Sequence, residues 1–166
     1  MLNFGTRTFR VLVLGGAAGV ALAAQPALAA DTAELGVSAS VANTCNVTTS
    51  PVDFGTVDVT NLLNDDATGS ITVTCTTGTL WAAAADAGNG SGATVTARKM
   101  TSGSDVLNYA LYTDPTRLIN FGGANTITGI GIGTAQANTV YGRVPSGQTG
   151  VPIGSYADSV TISLTY

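Results

Sequence analysis

Ser159-Val160-Thr161-Ile162-Ser163-Leu164-Thr165-Tyr166 closes this chain, and its strict alternation of polar and apolar residues decides the fold class. A period of two puts Val160, Ile162, Leu164 and Tyr166 on one face of a strand and hydroxyl side chains on the other, the pattern of a half-buried β-strand. No turn and no partner strand follow Tyr166, so this strand is expected to keep one edge unpaired. A second alternating stretch lies far upstream, where Leu35, Val37, Ala39 and Val41 are interleaved with Gly36, Ser38 and Ser40. An open strand at one end and a spare amphipathic strand at the other suit a protein that joins head to tail with copies of itself.

Between these two segments, short alternating runs are separated by turn residues at close spacing, which predicts an all-β domain. One run goes from Val52 and Phe54 to Val57 and Val59, broken by Gly55, and a loop is expected over Asn64–Gly69. Ser70–Cys75 is the clearest internal strand, with Ile71, Val73 and Cys75 on its inward face. Leu80–Ala85 would tolerate a helix, but its shortness and the Gly88-Asn89-Gly90-Ser91-Gly92 turn select a strand, with Ala93–Met100 as the return arm. Ser102-Gly103-Ser104 predicts another turn, leading to a strand with Leu107, Tyr109 and Leu111 on one face that closes at Asp114-Pro115. The stretch from Asn120 to Gly133 keeps no clean period, Thr139–Val144 is a further strand, and Gly147–Gly154 is a loop. About seven strands in one small domain predict a β-sandwich.

The N-terminus is expected to be removed. Arg7 and Arg10 precede an apolar run from Val11 to Ala24, and Ala27 and Ala29 supply the small residues of a signal-peptidase site, with the cut after Ala29. The run is too short for a membrane span, which needs about 20 apolar residues, so no direct membrane anchoring is expected. Taking 29 residues from 166 leaves 137, enough for one domain. The remainder carries Arg98, Lys99, Arg117 and Arg143 against ten Asp and Glu, a net charge of −6. Neither nucleic acid nor anionic membrane is a fitting partner, since both need a basic footprint. Export also decides how the two cysteines read: Cys45 and Cys75, 30 residues apart, are expected to form a disulfide.

Chemistry is scarce. The chain has no histidine, which excludes Ser-His-Asp and Cys-His catalysis and the usual zinc sites. Asp65-Asp66 is the one obvious carboxylate pair, and in a polar loop it reads as solvated rather than as a calcium or glycosidase site. Gly129-Ile130-Gly131-Ile132-Gly133-Thr134 lacks the lysine and the strand–loop–helix setting of a phosphate loop. Trp81, beside Leu80, reads as core rather than as a carbohydrate platform. No enzyme activity, cofactor or metal is expected.

The mature chain resembles the spore coat protein U domain family, which includes the major subunits of archaic chaperone-usher pili. The resemblance rests on the alternating leader before Thr44-Cys45-Asn46-Val47, on Val52-Asp53-Phe54-Gly55-Thr56-Val57, on Gly69-Ser70-Ile71-Thr72-Val73-Thr74-Cys75, and on Gly154-Ser155-Tyr156-Ala157-Asp158-Ser159-Val160 running to a C-terminal aromatic. It implies an incomplete immunoglobulin-like β-sandwich lacking its last strand and completed by donor-strand complementation. Carried onto this sequence, residues 1–29 are a signal peptide, 30–44 a donor strand and linker, and 45–166 the pilin domain. Leu35, Val37, Ala39 and Val41 become the donor residues, while Val160, Ile162, Leu164 and Tyr166 line an acceptor groove that also binds a chaperone. The implied partners are copies of itself or sibling subunits, a periplasmic chaperone and an outer-membrane usher, and the implied role is a surface filament supporting adhesion or biofilm formation. A secreted spore or cyst coat protein without pili is the first alternative, and a secreted carbohydrate-binding module the second.

Overall fold

A computed structural model describes residues 28–166, so the signal-peptide expectation lies, but for Leu28 and Ala29, outside the described residues. Leu28–Thr44 form no strand or helix and are exposed throughout. All eight strands fall within Ser40–Tyr166, which forms one compact unit. They are β1 (Cys45–Ser50), β2 (Asp65–Cys75), β3 (Leu80–Ala85), β4 (Arg98–Ser102), β5 (Asp105–Tyr112), β6 (Ile127–Ile130), β7 (Gln136–Val144) and β8 (Ile162–Thr165).

Two antiparallel sheets result, one ordered β1-β2-β7-β5-β4 and the other β6-β3-β8. Alternation does the work the sequence assigned to it. Ile71, Val73 and Cys75 of β2, Leu107, Tyr109 and Leu111 of β5, and Val140 and Val144 of β7 are buried. Trp81, Ala83 and Ala85 of β3 join them in one core, together with Phe121 from the β5–β6 connection. Cys45 and Cys75 are directly opposite each other in the β1–β2 register, with Cα atoms 4.1 Å apart, and they form the disulfide.

The second sheet is shorter by two strands, and an irregular segment takes up part of its place. Val52, Phe54, Val57 and Val59 pack against the core although no strand forms between Ser50 and Asp65, which corrects the strand expected there. The Asp53 carboxylate accepts the Gly55 amide and Asp58 accepts the Thr60 amide. Such local bonds turn the chain and compete with ladder formation, and Gly55 sits in the left-handed region at φ 61°.

Two further expectations are corrected. Asp65–Gly69 is the first half of β2, not a loop, because it lies along β7 with Asp66 directly opposite Arg143. A charged cross-strand pair here overrides a loop-like composition. Residues 93–97 form no return arm for β3: β4 begins at Arg98 and pairs with β5, in the other sheet. The fully buried Arg98 side chain pins this crossover, donating to the carbonyls of Asp86, Val95 and Phe121. The unassigned stretch from Asn120 to Gly133 contains β6. Its Gly129 stands opposite Trp81, and a Cβ there would come within 2.5 Å of the indole.

Candidate functional site: an open edge of the sandwich

Among the described residues β8 has a single neighbour, β3, and β1 has a single neighbour, β2. Between these two edges runs a groove of about 410 Å³. One wall is the chain leaving β1, Thr49–Phe54, and the other is the chain entering β8, from Tyr156 to Ile162. Ile71, Leu111, Phe121 and Val140 form its apolar floor. A sandwich open along one side leaves core side chains and a row of main-chain groups on β8 for another strand to cover.

The wall leading into β8 is fixed at a polar corner. Ala157 exchanges both main-chain hydrogen bonds with Thr101 of β4, at 2.9 and 3.1 Å, so the chain lies first against the five-stranded sheet. Four residues later the Asp86 amide donates to the Thr161 carbonyl, and Ile162 pairs with Ala85 in the other sheet. Asp158 sits at this switch: Oδ2 accepts the Tyr109 hydroxyl at 2.6 Å and Oδ1 accepts the amides of Asn89 and Ser159 at 2.8 Å. Asp86 Oδ1 accepts the amides of Gly88 and Thr161 at 2.9 Å. Burial pushes the Asp86 carboxyl up, but these amides, the Thr161 hydroxyl and the Arg98 charge outweigh it and hold it below the usual carboxylate range. Burial, with the bond to Asp158, pushes the Tyr109 phenol above its ordinary value, so it remains a donor.

Of the residues expected to form the acceptor face, Val160 and Ile162 line the groove. Leu164 packs against the core further along β8. Tyr166 is 56% exposed and lies over a separate shallow depression with Trp81, Gly129 and Ile130. The expected donor side chains Leu35, Val37 and Val41 are 89%, 88% and 86% exposed, and Ala39 is exposed as well. Asp65 and Asp66 are not brought together as a site. Asp66 instead takes a two-pronged hydrogen bond from Arg143, at 2.7 and 2.8 Å, with Arg117 Nη1 3.3 Å away. Trp81 is core.

Sequence reasoning missed Arg98, Asp86 and the role of Asp158. A signal for the last was available. Asp158 falls in the same parity as Tyr156, Val160, Ile162 and Leu164, all of them half-buried. A carboxylate on the inward register of an alternating strand must have partners waiting for it.

The fold and its open edge define an all-β, incomplete immunoglobulin-like β-sandwich. The chain belongs to the spore coat protein U domain family, whose model matches residues 31–163. It is 38% identical over 171 residues to "Protein U" of Myxococcus xanthus, with 90% of this chain and 93% of that protein covered. Among solved structures it resembles, at a TM-score of 0.57 and 20% identity, a chain of the CsuC–CsuE chaperone–tip adhesion subunit pre-assembly complex from archaic chaperone-usher Csu pili of Acinetobacter baumannii. That likeness covers 76% of this chain and 40% of the other, and it concerns the fold.

Proposed function

We propose that this protein is an exported subunit of a surface filament of the archaic chaperone-usher type. Residues 30–44 of one copy complete the open edge of the next, after a periplasmic chaperone has covered that edge and an outer-membrane usher has exchanged the two. The observation that carries this reading is the apolar groove beside the chain entering β8, a strand with one free edge, together with the exposed alternating side chains Leu35, Val37 and Val41. An extended segment added to β8 gains ladder hydrogen bonds from its backbone and specificity from every second side chain. Burying Leu35, Val37 and Val41 contributes about 1.5–3 kcal/mol each before ordering costs, comparable in sum to the stability of a small domain. The filament would then serve adhesion or biofilm formation at the cell surface.

The test is Val37→Asp in the exported chain, coexpressed with its chaperone and usher. A charge buried without a partner in the groove costs several kcal/mol. Heat-resistant polymers on electrophoresis should disappear while the chaperone complex persists, and polymers that survive the substitution would overturn the reading. A second reading, a secreted coat protein that assembles without pili, is favoured by the family's description. Polymers that form in the absence of any usher would select it.

A further inference from the structure

The polar corner before β8 does more than close a loop. Its bonds join three parts of the chain: the residue that follows β3 through Asp86, the middle of β5 through Tyr109, and the last crossing through Asp158 and Thr161. The chain crosses from the β4 edge at Ala157 to the β3 edge at Thr161 within these bonds. Val160 and Ile162, the two groove-lining residues of this wall, lie within and just after the crossing. A slip of one residue here would turn both side chains away from the groove, because the side-chain period of a strand is two. Main-chain bonds hold the wall at Ala157 and Thr161, and between those two points apolar contacts alone would resist a slip weakly.

We infer that Asp158 and Asp86, with Tyr109 and Arg98 behind them, are positioning residues that fix the register of the groove wall before any strand is added to it. The inference rests on the strand-addition reading above for its consequence, but not for its geometry. Arg98 is fully buried, and its donors are spent on the carbonyls of Asp86, Val95 and Phe121. That holds the end of β3 and the Phe121 backbone in place. The carboxylates of Asp86 and Asp158 are then free to accept from the crossing itself, from Thr161 and Ser159. The wall is thus held by charge-assisted hydrogen bonds, which are stronger and more directional than neutral ones. A preformed wall lowers the ordering cost of strand addition.

The experiment uses the full mature chain and two readouts: amide hydrogen exchange at Asn89, Thr101, Ala157 and Thr161, and the affinity of a synthetic peptide with the sequence of residues 31–44. Variants are Asp158→Asn, Tyr109→Phe and Asp86→Asn, with Asp66→Asn as a control that removes a carboxylate elsewhere. The corner variants should speed exchange at those four amides by about tenfold or more, leave the β2 and β7 amides protected, and weaken the peptide by a similar factor; the control should change neither. Unchanged exchange and an affinity within twofold of the parent chain would overturn the inference. So would equal loss of protection throughout the sandwich, which would make the corner a general stability element. If the parent chain ignores the peptide while the corner variants lose protection locally, the strand-addition reading falls and the positioning role stands.

Discussion

Val52 rests directly on the bare backbone of Gly142: a Cβ on Gly142 would lie 2.6 Å from Val52 Cγ1 and 2.8 Å from Phe54 Cζ. Gly142 is in β7, paired with Ala67 and Leu111, and its backbone is not in the left-handed region. The glycine is therefore a matter of space, not of conformation. It forms a notch in the sheet into which the irregular segment after β1 seats its first apolar residues, and that segment is one wall of the groove. Gly142→Val has the better strand propensity yet should destabilise the domain by about 1–3 kcal/mol through overpacking. Urea denaturation checks this, and a neutral or stabilising result would mean that Val52 and Phe54 are not held against β7.

Cys45 and Cys75 face each other where β1, an edge strand with one neighbour, begins. The disulfide closes a 30-residue separation and so restricts the unfolded chain, while anchoring the edge strand from which the groove wall departs. Replacing both cysteines by serine should cost about 2–5 kcal/mol, as is usual for native disulfides of small secreted domains. Chemical denaturation gives the magnitude. Intact mass with and without reductant should differ by two hydrogens for the parent chain and by none for the double variant.

Asp66 gives the clearest acid-dependent element. The hydrogen bond from Arg143, opposed by burial and helped by the Arg117 charge, lowers its carboxyl below the ordinary 3.8. A folded-state value below the unfolded one means that the stabilisation is fully present above the unfolded value and is lost as pH falls through the folded one. The pair therefore contributes at neutral pH and fades below about pH 4. Both side chains are partly exposed, at 29% and 35%, so the contribution should stay within about 1 kcal/mol. Arg143→Gln should remove that increment at pH 7 and less of it at pH 2, as read from denaturation midpoints at both. An equal loss at the two pH values would show that Arg143 acts through its aliphatic packing alone.

What was legible in the sequence followed the clean alternations. Ile71-Thr72-Val73-Thr74-Cys75 and Leu107–Tyr112 are strands because each keeps an apolar face in the core, Ala110 being buried on the other face as well. The closing alternation forms a strand over Ile162–Thr165, the residues before it crossing between the sheets. The misreadings arose where a tertiary partner decided the matter. Asp65–Gly69 looks like a loop until Arg143 stands opposite Asp66. Ala93–Met100 looks like the return arm of a hairpin until Arg98 draws the chain to the other sheet through three carbonyls. Val52–Val59 has the apolar content of a strand, but Asp53, Gly55 and Asp58 turn it before any neighbour can pair. The wall from Tyr156 to Ile162 was readable because its inward residues alternate up to the start of β8; the opposite wall was not, because Asp53 and Gly55 turn it out of any strand. The polar corner was hidden for a related reason, since its members come from positions as far apart as Asp86 and Thr161.

A donor strand beside β8 can run in either direction, and linker length separates the two. Antiparallel neighbours can be joined by a turn of very few residues, whereas parallel neighbours need a crossover of about a dozen or more. Residues 31–44, removed from the N-terminus and appended after Tyr166 through about four Gly and Ser residues, can reach only the antiparallel position. Tethering raises the effective concentration of the donor into the millimolar range, and a ligand that binds only the folded state stabilises it accordingly. The short-linker fusion should therefore be monomeric by light scattering and should melt well above the unfused domain, and Val37→Asp within the appended segment should abolish the gain. If a linker of about 15 residues succeeds where the short one fails, the donor runs parallel to β8. If neither fusion is monomeric and more stable, the free edge of β8 is not where residues 31–44 bind.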